Sequence, residues 1–275
     1  MDFENAFNKF IETVMNDFSK AKINDLDKAI DYAINKAYYD MQLRTIKGHN
    51  NDIKDKSITV LKDKIKSFFI EKNTYNQTLF DAWHKDACDN FLTTFNKEAE
   101  KYSVEEQKYG KAQKIVNMSL KYLYCIFKCN TDKEFDDKQT KFGMQVSPSV
   151  VDSDFEYCHM PLDSYTLNWY YSLPKYKTQK ELTWSSLSED NYNLIQNNIR
   201  DYLLRQDHLP KNVLKTEFIV WQQEKTKTIV NELRKLLANN VFEAEDLKNL
   251  KYKKGREKNK IIRKNVEIIF NNLAE

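Results

Sequence analysis

The chain has 275 residues, and 44 Lys and Arg stand against 41 Asp and Glu for a formal net charge of +3. That length suits one large domain or two intimately packed ones with a real core, and the near-balance of charge excludes a general polycation. Four Gly and four Pro in a chain that is 41% hydrophobic and 13% aromatic exclude a disordered polymer and argue against a sheet-rich fold.

Residues 3–20 are predicted to form an amphipathic helix, with Phe3, Phe7, Phe10, Ile11, Val14 and Phe18 at helical spacing. Residues 25–44 repeat the pattern through Leu26, Ile30, Ile34 and Met41, and Gly48, Asn50 and Asn51 make a turn. Helices over 57–70 and 77–100 follow, the second containing Trp83, Phe91 and Phe95. Ser103-Val-Glu-Glu106 reads as a capping box, and 111–128 is the most apolar helix of the chain. The stretch 130–157 is rich in Asp and Lys, then carries Gly143 and Ser147-Pro-Ser149, the marks of a long loop inserted into the domain. Helices are expected at 164–172, 188–204 and 213–238, so 1–240 forms one helical domain. A basic tail fills 241–275. There is no internal repeat, and the fold class is all-α.

No apolar run reaches the length of a membrane span, the N-terminus lacks a secretory core, and four cysteines show no secretory spacing. A reduced, cytoplasmic setting without a membrane partner is therefore expected. Cys125, Cys129, Cys158 and His159 lack the spacing of a structural zinc site, so the cysteines read as buried thiols and neither metal nor cofactor is expected.

Two features carry chemistry. Pro161 stops any helix, and Asp163 or Ser164 can cap a new one, which puts the Asp163 carboxylate at a helix N-terminus. On a wheel, Gly110, Lys114, Asn117 and Lys121 form one polar stripe on an otherwise apolar helix. That stripe faces either water or a cleft, where a desolvated lysine becomes a nucleophile. Separately, Lys248 to Lys264 holds nine basic residues, Lys251, Lys253, Lys254 and Arg256 among them, against the single acid Glu257. Such a block suits contact with nucleic-acid phosphates, or a solvated helix face.

Gly110-Lys-Ala-Gln-Lys114-Ile-Val-Asn followed by Pro161-Leu-Asp163-Ser resembles the helix-hairpin-helix DNA glycosylases, the archaeal 8-oxoguanine type above all, over about residues 80–225. The resemblance implies two packed helical subdomains around a central cleft. It implies a nucleophilic lysine, Lys114 or Lys111, and a catalytic carboxylate, Asp163. The substrate would be double-stranded DNA with a flipped damaged or modified base, bound by a monomer. Gln113 and Asn117 would meet the substrate, with Trp83, Tyr165, Trp169, Trp184 and Trp221 as candidate aromatic walls, although such residues are more often core than pocket. Gly110 and Lys121 would hold the DNA backbone together with the tail. The chain departs from the family in three ways: it lacks the Leu-Pro-Gly-Val-Gly hairpin, its lysine–aspartate gap is longer, and it has no iron–sulfur cysteines. The alternative is a non-catalytic nucleic-acid-binding or protein-interaction module of a phage or defence locus.

Overall fold

The computed structural model describes residues 1–16, 23, 25–45, 50–70, 76–130, 140–141, 144–145, 151 and 153–238. Among them are eight α-helices: α1 (Phe3–Val14), α2 (Leu26–Thr45), α3 (Asn51–Ile70), α4 (Gln77–Lys101), α5 (Tyr109–Asn130), α6 (Ser164–Ser172), α7 (Glu189–Leu204) and α8 (Val213–Ala238). The fold is all-α. A two-residue antiparallel ladder pairs β1 (Thr140–Lys141) with β2 (Met144–Gln145). The basic tail, with Lys251, Lys253, Lys254 and Arg256, lies outside the described residues, as do Phe18, Gly48 and most of 130–157.

Short polar side chains start these helices. Asp2, Asn76 and Ser188 each accept a hydrogen bond from a backbone N–H in the first turn of α1, α4 and α7. Asn50 Oδ1 accepts from Asp52 N at 2.7 Å, and α3 begins six residues before the sequence expectation of 57. Ser103 is a correction. It has φ 53°, with Ser103 N donating to Glu100 O and Val104 N to Ala99 O at 2.9 Å. Those bonds are a Schellman closure of α4, with serine in the left-handed position usually held by glycine. The Ser-x-x-Glu pattern therefore ends one helix instead of starting another.

The buried apolar residues form one continuous cluster from Ala6 to Val220. Helix α5 lies at its centre, flanked by α2, α4, α7 and a short 3-10 turn at Trp184–Ser186. Helix α3 packs on α2 and α4, while α8 packs on α1 and α6. From Lys111 to Phe127 only Lys114 and Met118 are not fully buried, so the polar stripe of α5 meets other helices instead of open water.

Candidate functional site

A helix buried on every side must satisfy its polar side chains within the protein. Gln113 and Asn117 find hydrogen-bond partners in one direction and Lys121 an ion pair in another. Toward α4 and α7, Gln113 Nε2 donates to Leu162 O at 2.9 Å and its Oε1 accepts from Leu162 N at 3.2 Å. Gln196 of α7 brackets Met160 in the same way, at 3.3 Å to the N–H and 2.6 Å to the carbonyl. Thr166 Oγ1 donates to Pro161 O at 2.9 Å and accepts from Asp163 N at 2.8 Å. Segment 160–163 is buried with no strand partner among the described residues, and these side chains bond its backbone groups.

His159, at the head of that segment, enters a buried network. Its Nε2 lies 2.6 Å from Asp81 Oδ1 and its Nδ1 lies 2.7 Å from Tyr192 Oη. Arg200 clamps Asp81 through both guanidinium nitrogens, at 3.2 and 3.1 Å. Asp81 is held at about 2 despite the opposing effect of burial, with His159 and Arg200 as the stabilising partners. An ionised Asp81 requires His159 Nε2 to carry the proton, so Nδ1 accepts from Tyr192. Tyr192 Oη in turn accepts from Asn117 Nδ2 at 2.9 Å and from His84 Nε2 at 3.3 Å. Burial pushes both His84 and His159 below the ordinary imidazole range. In the sequence His84 shows no partner pattern, and His159 stands only beside a cysteine set without zinc-site spacing. The available signal was Asp81, His84 and Cys88 on one face of α4, among Phe80, Ala87 and Phe91.

With segment 160–163 fixed, Asp163 becomes the N-cap of α6. Its Oδ1 accepts from Tyr165 N at 2.9 Å and Thr166 N at 3.1 Å. Its Oδ2 faces Lys114 Nζ at 3.8 Å, the two side chains being 12% and 17% exposed. That separation is a charge contact and too long for a hydrogen bond. Lys114 Nζ also sits 4.4 Å from the centroid of Trp184. Gly110 puts the tryptophan there: its N–H donates to Leu187 O at 3.0 Å, and a Cβ on it would meet Trp184 O at 1.9 Å. Gly110, expected on a DNA backbone, is thus closed against the 184–187 turn.

Lys121 is corrected as well. Instead of reaching a phosphate, it is enclosed and paired with Glu217 of α8 at 2.5 Å, each side chain 1% exposed. Neither Lys121 Nζ nor Glu217 Oε2 makes a well-aligned hydrogen bond, so this is a contact of charges. The Lys121 ammonium lies 3.8 Å from the Phe10 ring centroid and 4.5 Å from that of Phe218. Burial raises the Glu217 carboxyl above its usual range, and Asp163 adds to the effect while Lys121 and Lys114 oppose it. The two lysine–carboxylate pairs therefore share one electrostatic environment.

Of the residues singled out in the sequence, the structure brings together Lys114, Asp163 and Trp184, with Tyr165 meeting Trp221 edge-on at 5.8 Å close by on α6 and α8. Gln113 and Asn117 lie behind the pair, 0% exposed and bonded to protein partners, so they do not face a substrate. Trp83 packs on Phe68 at 4.7 Å and donates to Lys64 O, and Trp169 packs on Tyr202 at 5.9 Å. Trp169 is buried in the core and Trp83 is partly buried against it. Lys111 is buried, and burial depresses its ammonium, with Glu105 and Lys108 as the charges acting on it. A hollow of about 230 Å³ lined by Leu173, Tyr176, Asp201, Tyr202 and Arg205 lies at the opposite end of α6 from Asp163. Cys125 and Cys158 are buried, and burial raises both thiols. No metal-sized group of His, Cys, Asp and Glu occurs among the described residues, and no described helix is long and apolar enough to cross a membrane. Comparison with protein-family models, curated proteins and solved structures finds no match in any of the three.

Proposed function

We propose that Lys114 and Asp163 are the reacting pair of a DNA glycosylase that excises a damaged or modified base. The observation supporting this reading is their approach to 3.8 Å at a partly exposed point beside Trp184. The glycosylase arrangement of two helical subdomains about a cleft is part of the proposal. In one course, Lys114 attacks the sugar C1′ as a neutral amine, the bond to the base breaks, and the departing base takes up a proton. Asp163 then accepts the proton of the substituted ammonium, and as the nitrogen lone pair makes the C1′=N bond of the Schiff base the C1′–O4′ bond breaks and the ring oxygen takes up a proton. In the other, the carboxylate stabilises the developing sugar cation while water attacks, and no covalent intermediate arises.

The test is borohydride trapping and base release on a panel of duplexes carrying oxidised, alkylated and phage-type modified bases. In the lysine course, Lys114→Gln abolishes the adduct while Lys111→Gln retains it. Asp163→Asn lowers base release by roughly 10²–10³-fold or more, the cost of removing charge directed at a transition state. Asparagine caps a helix about as well as aspartate, so this variant isolates the charge from the fold. Full activity of Asp163→Asn, or no release by the wild type across the panel, refutes the proposal.

One observation favours the rival, a non-catalytic nucleic-acid-binding or interaction module. Asp163 Oδ1 already serves two backbone N–H groups and Oδ2 neutralises Lys114, which is a complete structural role. On that reading Asp163→Asn folds and binds as the wild type does, and no duplex of the panel loses a base.

A further inference from the structure

The inner face of α8 continues past the buried pair. Glu217, Trp221 and Lys225 follow one another at single-turn intervals along it, with the environment growing more open from Glu217 to Lys225. Glu217 is neutralised by Lys121. The Trp221 ring lies 5.4 Å from the Lys121 ammonium and 4.5 Å from that of Lys225, and Phe10 and Tyr165 abut it edge-on at 5.5 and 5.8 Å.

Among the described residues, Lys225 is the cation that the local charges leave over. Lys114, Lys121 and Lys225 supply three positive charges and Asp163 and Glu217 two negative ones, so the connected group carries +1. The neighbouring acid Glu224 is paired with Lys227 at 2.5 Å. Burial and the charge of Lys121 both depress the Lys225 ammonium, and no carboxylate among the described residues acts to restore it. A half-buried ammonium without a counter-charge is costly unless an anion completes it. An anion held there would lie against an indole ring already fixed by two aromatic neighbours.

We infer that Trp221 and Lys225 form a nucleotide-binding edge, Lys225 taking a phosphate and Trp221 the adjoining base or sugar. The chemistry fits a phosphate ester with an aromatic ring attached, since every nucleobase offers a face for stacking and every linkage a charge. The choice of a DNA strand as the source of that nucleotide rests on the proposed glycosylase reading; the charge and ring arrangement does not.

The experiment uses the full chain and a fluorescein-labelled duplex bearing a tetrahydrofuran abasic analogue, which cannot be excised. Anisotropy gives the binding constant across a salt series for the wild type, Lys225→Ala, Lys225→Arg and Trp221→Ala. Loss of one phosphate contact should lower the slope of log K against log salt by about 0.9 in Lys225→Ala, while Lys225→Arg keeps the wild-type slope. Trp221→Ala should weaken binding by roughly 5- to 100-fold, the range for one stacked base, with the slope unchanged. Urea midpoints establish that each variant remains folded. Competition by deoxynucleoside monophosphate that is lost in Lys225→Ala would support the edge with a free nucleotide as its ligand. Lysine-dependent duplex binding without base release would support the edge and reject the glycosylase. Equal slopes in Lys225→Ala and the wild type, or no binding of duplex or mononucleotide by the wild type, would overturn the inference, even if base release were observed.

Discussion

Replacing Lys121 by methionine removes one half of an ion pair that is cut off from water. The two charges stand 2.5 Å apart with 1% exposure on each side chain. At an effective dielectric constant of about 20 their attraction is about 7 kcal/mol, and the aromatic rings around the ammonium add roughly 2 kcal/mol. Against this, burying each ion costs several kcal/mol, so the intact pair contributes little net stability. The half pair is different. In Lys121→Met, Glu217 keeps its burial and loses its partner, and the variant should be about 3–5 kcal/mol less stable than the wild type near neutral pH. The double variant Lys121→Met/Glu217→Leu fills a similar volume without charge and should lie within about 1 kcal/mol of the wild type, or above it. The pH dependence carries a definite sign. Burial raises the folded-state Glu217 carboxyl above 4.5, so the native state binds the proton more tightly than the unfolded chain. Relative to the wild type, whose buried histidines it shares, the single variant therefore gains stability as pH falls through the raised folded value toward the unfolded one, and part of the loss is recovered near pH 5. Urea unfolding followed by helical circular dichroism at both pH values measures all of this. Equal destabilisation in the single and double variants, or a difference between the single variant and the wild type that is indifferent to pH, would refute the reasoning.

Gly110→Ala should destabilise the protein by about 1–3 kcal/mol although alanine is the better helix former by about 1 kcal/mol, because its Cβ would meet Trp184 O at 1.9 Å. The displaced Trp184 ring would shift the tryptophan emission, and unchanged stability and emission would contradict the close approach. The two buried histidines set the acid limit. Burial depresses both below 6.5, so the unfolded chain binds protons that the native state refuses. Their stabilisation is complete above 6.5 and is lost as pH falls below it, by up to about 1.4 kcal/mol per pH unit for each histidine. Urea titrations at successive pH values should show that decline, smaller in His159→Gln; a flat profile in the wild type would exclude neutral buried histidines.

Much of the helical frame was legible because it depends on neighbours in sequence. The spacing of apolar residues predicted α6 at 164–172 and α8 at 213–238, the spans observed. Pro161 and Asp163 together announced a helix start, and Asp163 caps it. Ser103 misled because Ser-x-x-Glu has one sequence and two uses. Whether it opens or closes a helix depends on Val104 finding the carbonyl of Ala99, a bond that the pattern does not encode. Lys121 misled for a longer-range reason. A wheel assigns it to the polar stripe with Lys114, but its solvent is replaced by Glu217 and three aromatic rings from α1 and α8, none of them near it in the chain.

The approach of Lys114 to Asp163 was legible only as two separate signals, and what joins them is the buried polar network behind. Lys114 is fixed by α5, whereas Asp163 ends a segment with no strand to pair with among the described residues. Gln113, Gln196 and Thr166 supply the hydrogen bonds that a neighbouring strand would have made, and His159 ties the head of the segment to Asp81 and Tyr192. At Gln113, Gln196 and Thr166 an apolar residue would leave a peptide group of the segment unpaired, at a cost of about 1–3 kcal/mol per group. The network therefore decides where the carboxylate stands. The long stretch between the lysine and the aspartate can vary in length without moving them, because the segment is held at its end by α4, α5 and α7. A change at Gln113 should then act on the Lys114–Asp163 separation even though Gln113 is fully buried and its amide oxygen serves Leu162 and Asn117.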